Sequence, residues 1–150
     1  MSGVLRALDG ARPLETRLAF RVQVYDVDYG GHVFNGVYVR WLEDLRMEMH
    51  ERYLPLRDLS ENHAGPILAR TEIDYLRPVR IFDHPEGLLW CKELGRASLW
   101  LKAEFRVGEA VCCRARQRLG FLRYDTRRPL RCPAPLRDAF LRTNQAPAGR

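Results

Sequence analysis

The sequence predicts a single α+β domain in which an antiparallel five-stranded sheet carries one long helix on one face. Three observations predict it. An early segment alternates with period two, the next has apolar residues at helical spacing for about five turns, and four later strand-like runs are joined by short connectors. No repeat or composition break divides residues 17–125.

The first strand is read from TRLAFRVQVYDV, where Leu18, Phe20, Val22 and Val24 alternate with Arg17, Arg21 and Gln23. Gly30 and Gly31 end it. The helix is GVYVRWLEDLRMEMHERY, with Tyr38, Trp41, Leu42, Leu45, Met49 and Tyr53 forming an apolar stripe. Arg40, Glu43, Asp44, Arg46, Glu48 and Arg52 form its polar face, and Glu48 and Arg52 stand at the favourable i,i+4 offset. Pro55 stops it. The remaining strands are ILARTEIDYLR (67–77), GLLWCKEL (87–94), SLWLKAEFRV (98–107) and EAVCCRARQRLGFLRY (109–124). Their short connectors require antiparallel neighbours, because a parallel crossover needs a dozen residues or more. One helix cannot cover such a sheet and its edges, so a second copy of the chain is expected to pair with it.

The chain has 150 residues, 46% of them hydrophobic and 29% charged, a composition that excludes global disorder. No apolar run approaches the ~20 residues of a membrane span, and the first residues lack a signal-peptide pattern, so a cytoplasmic location is expected. Cys91, Cys112, Cys113 and Cys132 form no C-x-x-C pair, which argues for free thiols and against a metal site. Residues 1–16 read as a flexible leader. Residues 126–150 hold six arginines against Asp138 alone, and this basic, proline-rich tail is expected to pack partly on the domain. Its only aromatic residue is Phe140, too little stacking surface to favour nucleic acid as a partner.

The parity of the first strand places Asp26 and Asp28 on its inward face, where an unpaired carboxylate is costly. Asp28 stands just before Gly30–Gly31, and the helix begins about seven residues later. A helix N-terminus offers free backbone N–H groups and a positive dipole end. Together these can cleave an acyl compound: the amides hold the developing oxyanion while the carboxylate attacks the carbonyl or deprotonates a water. Asp28 equally fits a turn residue before Gly-Gly, Asn35 an N-cap, and His32 a hydrogen-bonded loop residue.

The stretch YDVDYGGHVFNGVYVRWLEDLR resembles the signature of the 4-hydroxybenzoyl-CoA thioesterase family of hotdog-fold acyl-CoA thioesterases. The pattern is an Asp, two residues, Gly, a His or apolar position, Val, an aromatic, and then a helix opening with Tyr and continuing Arg-Trp-Leu-Glu. TEIDYLRPVRIFD resembles the family's next strand and turn, and SLWLKAEFRV and residues 126–136 fit the remainder, so the likeness spans residues 17–140. It implies a hotdog fold, with strands numbered along the chain in the order 1-3-4-5-2 around the central helix. It also implies hydrolysis of an acyl-CoA thioester to a carboxylic acid and CoA. Asp28 matches the catalytic nucleophile or general base, and the backbone N–H of Asn35 matches the oxyanion donor. Many relatives carry His or Tyr at the Asn35 position; here His32 stands three residues earlier.

By the same resemblance Gly31, Val33, Phe34, Tyr75 and Arg77 are expected at the substrate, with arginines near the pocket mouth taking the CoA phosphates. Phe34, Trp41 and Tyr75 line an acyl pocket or belong to the core. Coenzyme A enters as part of the substrate, with no separate cofactor and no metal. The expected assembly is a homodimer with sheets paired edge to edge and sites at the subunit boundary, or a homotetramer built from it. Part of the fold uses a helix carboxylate instead; Glu43 is the nearest here, but its register suits surface salt bridging. Two other functions stay open: release of acyl chains from an acidic acyl carrier protein, and acyl-CoA binding without turnover.

Overall fold

The computed structural model describes residues 3–148. Arg150 of the tail and the first two residues of the leader lie outside that range. The elements in chain order are β1 (Leu5–Arg6), β2 (Thr16–Ala19), α1 (Asn35–Tyr53), α2 (Leu56–Ser60), β3 (Ala64–Tyr75), β4 (Glu86–Leu94), β5 (Ser98–Val107), β6 (Ala110–Arg123), β7 (Pro129–Leu130) and α3 (Ala134–Thr143). A 3-10 turn at Val24–Asp26 links β2 toward α1.

All pairings are antiparallel. The five main strands run β2-β4-β5-β6-β3, which is the expected 1-3-4-5-2. Two short additions complete the sheet: β1 shares the β4 edge with β2, and β7 pairs with the end of β6. The alternation that makes β5 a strand also builds the core. Leu99, Leu101, Ala103 and Phe105 are buried, and the intervening Trp100, Lys102 and Glu104 face outward. Helix α1 lays Val37, Tyr38, Trp41, Leu42, Leu45 and Met49 against this inner face. Burial of each such side chain contributes about 1.5–3 kcal/mol, so packing rather than intrinsic propensity holds the helix. Among the described residues no helix is long and apolar enough to cross a membrane. All four cysteines are free.

Three sequence expectations are corrected. The first strand ends at Ala19, because its partner β4 begins opposite it at Glu86; Val24, expected inside, is 77% exposed. The leader is built into the fold: β1 pairs with Leu94 and Glu93, and Leu14 is fully buried. Arg46, expected on the polar face of α1, is 7% exposed and donates to Gln117 Oε1 at 2.5 Å while pairing with Glu43. An inward Gln117 on β6 supplies the partner that makes this burial tolerable. The basic tail, expected to pack partly on the domain, does so through α3, which buries Leu136, Ala139 and Phe140.

Candidate active site

Leaving β2, the chain makes the 3-10 turn and closes it with Asp26. The Asp26 carboxylate is fully buried, accepts the Gln23 N–H at 2.9 Å, and accepts the Arg40 guanidinium of α1 at 2.5 Å. Its backbone carbonyl accepts the Phe34 N–H at 3.0 Å. Asp26 therefore ties the strand exit to the start of α1. Strand parity marks both aspartates as inward, yet only Asp26 is, and its role is structural. The Asp26–Arg40 pair escapes sequence reading because its members are fourteen residues apart in unrelated patterns.

Asp28 is exposed, a correction to its expected inward position. Its Oδ1 accepts the N–H groups of Gly30 at 2.8 Å and His32 at 3.1 Å. Its own N–H donates to His32 O at 2.8 Å, and Gly31 N–H donates to Asp28 O at 3.0 Å. Gly31 supplies the left-handed φ of +76° that this tight turn needs, and a Cβ there would meet open space. One carboxylate oxygen is thus anchored by backbone amides, while Oδ2 has no hydrogen-bond partner among the described residues. An antiparallel bridge between Val27 and Val33 closes the loop, and His32 pairs in turn with Arg80. The helix starts two residues after Val33.

Asn35 is the first residue of α1, not its cap; the cap position belongs to Phe34, whose side chain makes no capping bond. The amides of Asn35 and Gly36 have no acceptor among the described residues. They are the orphan donors of a helix N-terminus and carry its partial positive charge. Phe34 is 46% exposed, and its ring lies over Gly36, where a Cβ would come within 2.7 Å of Phe34 Cε2. Glycine at position 36 lets the aromatic ring sit beside the open amides.

From β3, the Tyr75 hydroxyl donates to the Asn35 carbonyl at 3.0 Å, and its ring meets Tyr38 edge-on at 5.4 Å. Burial raises the Tyr75 phenol above its ordinary pKa, so it remains a neutral donor. Behind it, Tyr38, Trp41, Phe20 and Phe105 form one aromatic cluster, with Phe20 stacked on Trp41 and Tyr38 edge-on to Trp41 and Phe105. Trp41 belongs to the core at 2% exposure.

The structure thus brings Asp28, Gly31, His32, Phe34, Asn35 and Tyr75 to the loop and helix start. Val33 faces the core at 6% exposure rather than the open side, and its N–H is used by Val79 O. Arg77 follows β3, its amide bonded to Cys112 O and its side chain exposed. Arg80, unforeseen from the sequence, is carried beside the loop by its bridge to His32. Neither guanidinium has an ion-pair partner among the described residues. No hydrogen bond joins the His32 imidazole to Asp28 among those residues either. Glu43 pairs with Arg46, as its register suggested. Among the described residues no group of three or more His, Cys, Asp or Glu is placed to hold a metal ion.

The fold recurs in solved structures. A thioesterase of Thermus thermophilus, solved in complex with coenzyme A and Zn, is 27% identical, with 93% of this chain and 99% of that one covered and a TM-score of 0.77. A predicted thioesterase of Bacillus stearothermophilus shares the fold at 23% identity, 89% and 99% coverage and a TM-score of 0.78. A 1,4-dihydroxy-2-naphthoyl-CoA thioesterase of Synechocystis shares it at 16% identity, 87% and 98% coverage and a TM-score of 0.77. A comparison with curated proteins gives no match. Residues 22–140, which include the Asp28 loop, all of α1 and the sheet from β3 to β7, match the family model of the thioesterase-like superfamily, and the chain is a thioester hydrolase belonging to that superfamily.

Proposed function

We propose that the protein hydrolyses acyl-CoA thioesters, with Asp28 as the reacting carboxylate and the Asn35 amide as the oxyanion donor. The observation that carries this reading is the uncapped start of α1, with two unengaged amides, seven residues from a carboxylate whose free oxygen is not consumed by its own turn. The thioester carbonyl oxygen accepts the Asn35 N–H, which stabilises the charge that develops on it. Asp28 then either attacks the carbonyl carbon or takes a proton from an attacking water. Either way the C–S bond breaks, the CoA thiolate leaves and takes up a proton, and water supplies the oxygen of the free acid. Coenzyme A enters as substrate, and the scheme uses no other cofactor. Arg77 and Arg80 suit its phosphates, being exposed and unpaired among the described residues. The bound coenzyme A in the 27% identical Thermus structure supports this substrate class.

A homodimer is part of the reading. Among the described residues strand β3 pairs only with β6, so its other edge is free over twelve residues. On that strand and just past its end, Ile67, Leu68 and Leu76 are all at least 40% exposed. A long free edge flanked by apolar side chains favours pairing with a second copy, which sets each Asp28 loop at a subunit boundary. Further pairing of dimers would give the tetramer.

Asp28→Asn tests the chemistry. The amide oxygen still accepts from Gly30 and His32, so the turn persists, while the base or nucleophile is gone. Thiol release from a panel of acyl-CoAs is expected to fall by about 100-fold or more. A folded variant with wild-type rates would overturn the proposal.

A further inference from the structure

The outer face of the sheet carries a cavity of about 250 Å³ where the leader crosses β4 and β5. Its apolar wall includes Leu8 and Gly10 of the leader and Trp90 of β4, and its charged members are Arg12, Lys92 and Lys102. Among the described residues no carboxylate lines it. Lys92 and Lys102 are the only two lysines in the chain.

The strands explain why both lysines come to this face. Trp90 and Lys102 stand directly opposite each other on β4 and β5, and their neighbours Cys91 and Leu101 are fully buried. Trp90 and Lys102 therefore face away from α1. Beyond Cys91 the register shifts, so two residues, Lys92 and Glu93, stand between the inward Cys91 and the inward Leu94. This bulge breaks the alternation and leaves Lys92 on the outer side, where it lines the same cavity as Lys102. The leader closes the opposite side. Ala11 N–H donates to Leu8 O at 2.9 Å, and Gly10 takes the φ of +72° that this turn needs. Arg12 follows directly, its guanidinium carbon lying over the Trp90 ring at 4.7 Å from the centroid. Stacking of this kind holds the guanidinium in place while its N–H donors stay available.

None of the three cations has an ion-pair partner among the described residues. The carboxylates beside them are engaged elsewhere: Glu93 by Arg6 at 3.0 Å, Glu72 by Arg70 and Arg116, and Glu104 by Arg106. Asp9 belongs to the leader turn and does not line the cavity. Like charges gathered round one small space repel, and an anion seated between them turns that repulsion into attraction. We propose that this cavity binds the diphosphate group of a small ligand, with Arg12, Lys92 and Lys102 as its cationic contacts. Charge sets the class. A lone carboxylate would leave two of the three cations unanswered, whereas a diphosphate has several negative oxygens to share among them. The Arg12 fork suits two of those oxygens at once, and the lysines serve as point charges. The sheet lies between this cavity and α1, so the inference stands apart from the hydrolysis reading and involves neither Asp28 nor Asn35.

The test uses the full-length protein with lysine labelled by ¹³C at Cε, which gives two side-chain resonances, assigned through Lys92→Gln and Lys102→Gln. The probes are inorganic pyrophosphate, ADP, adenosine and sulfate, all at one ionic strength so that screening is constant. Pyrophosphate is expected to shift both resonances saturably with a single dissociation constant, and adenosine to shift neither. Sulfate, with less charge to share among three cations, should bind about tenfold or more weakly. ADP binding at least as tightly as pyrophosphate marks a diphosphate carried on a nucleotide, and weaker ADP binding marks free pyrophosphate. By calorimetry each lysine variant should lose pyrophosphate affinity by about tenfold or more, the usual loss for one charge-assisted contact. Arg57→Gln, which removes an exposed cation on α2, should keep wild-type affinity. Unmoved lysine resonances, an equal response to sulfate, or a loss in Arg57→Gln as large as in the lysine variants would each overturn the proposal. Because both resonances must move, the wild-type titration decides the matter even where a variant fails to fold. Loss of thioester hydrolysis in Asp28→Asn leaves that titration untouched, so the two proposals fail separately.

Discussion

The Tyr75 hydroxyl at the end of β3 donates a 3.0 Å hydrogen bond to the carbonyl of Asn35, the first residue of α1. This bond fixes the first helical turn, and with it the direction of the Asn35 and Gly36 amides, relative to the sheet. Tyr75→Phe removes the bond and keeps the ring against Tyr38. A net loss of about 1 kcal/mol is expected, the usual worth of a neutral hydrogen bond. If the whole loss falls on the transition state, kcat drops about fivefold with KM little changed. Steady-state kinetics with a thermal melt check this; unchanged kcat would show that the helix start is held without Tyr75.

Asp26 and Asp28 are two residues apart and have opposite roles, which stability measurements separate from activity. Asp26→Ala strands the Gln23 N–H and leaves Arg40 without its buried partner. Charged hydrogen bonds of this kind make the expected cost about 2 kcal/mol or more, a drop of about 4–8 °C in Tm at this chain length. Asp28→Ala loses only an exposed turn contact and should cost about 1 kcal/mol or less. Urea melts of the two variants decide it, and equal destabilisation would show that the Asp28 turn is as structurally important as the buried pair.

The sequence disclosed the elements whose pattern is local and periodic. Alternation in SLWLKAEFRV and three-four spacing from Tyr38 to Tyr53 come from burying one face, and the short connectors then allow few strand orders. The Asp28–Gly31 turn was equally legible, because its chemistry lies within four residues. What escaped depends on partners distant in the chain. Leu14 becomes core and β1 becomes ordered only because β4 offers them an edge. Arg46 is tolerable inside only because Gln117 stands seventy-one residues later. Asp26 and Asp28 share a strand parity, and only the early end of β2 sends one inward and the other out. Tyr75 was expected near the substrate, but its grip on Asn35 joins β3 to α1, a contact no spacing rule contains.

The free edge of β3 makes the proposed dimer testable without any substrate. Ile67 and Leu68 are 46% and 40% exposed beside that edge. Replacing Leu68 with Lys puts a charge where a paired strand would desolvate it. Analytical ultracentrifugation should show a wild-type dimer and a variant whose dissociation constant is raised about tenfold or more, since burying an unpaired charge costs well over ~1.4 kcal/mol. A wild-type chain that sediments as a monomer at micromolar concentrations would remove the dimer from the reading.

The buried imidazole gives the chain a distinctive acid sensitivity. His50 faces Arg46 and Glu43 on its own helix, Phe121 on β6, and Tyr124 just beyond that strand. Burial, with the Arg46 charge, holds its folded pKa at about 4, against the ordinary 6.5 that it regains on unfolding. Below pH 6.5 the unfolded chain therefore binds a proton that the folded chain refuses, and stability falls until pH reaches about 4, where both forms are protonated. The difference corresponds to about 3 kcal/mol across that window. His50→Phe retains an aromatic ring and removes the titration, so the wild type should lose stability relative to the variant as pH falls from 6.5 to about 4, and the gap should stay constant above and below. Urea melts at closely spaced pH values measure that difference directly, cancelling the carboxylates and other histidines common to both proteins. Parallel curves through the window would mean that the folded protein protonates His50 as readily as the unfolded chain does, with solvent reaching the ring.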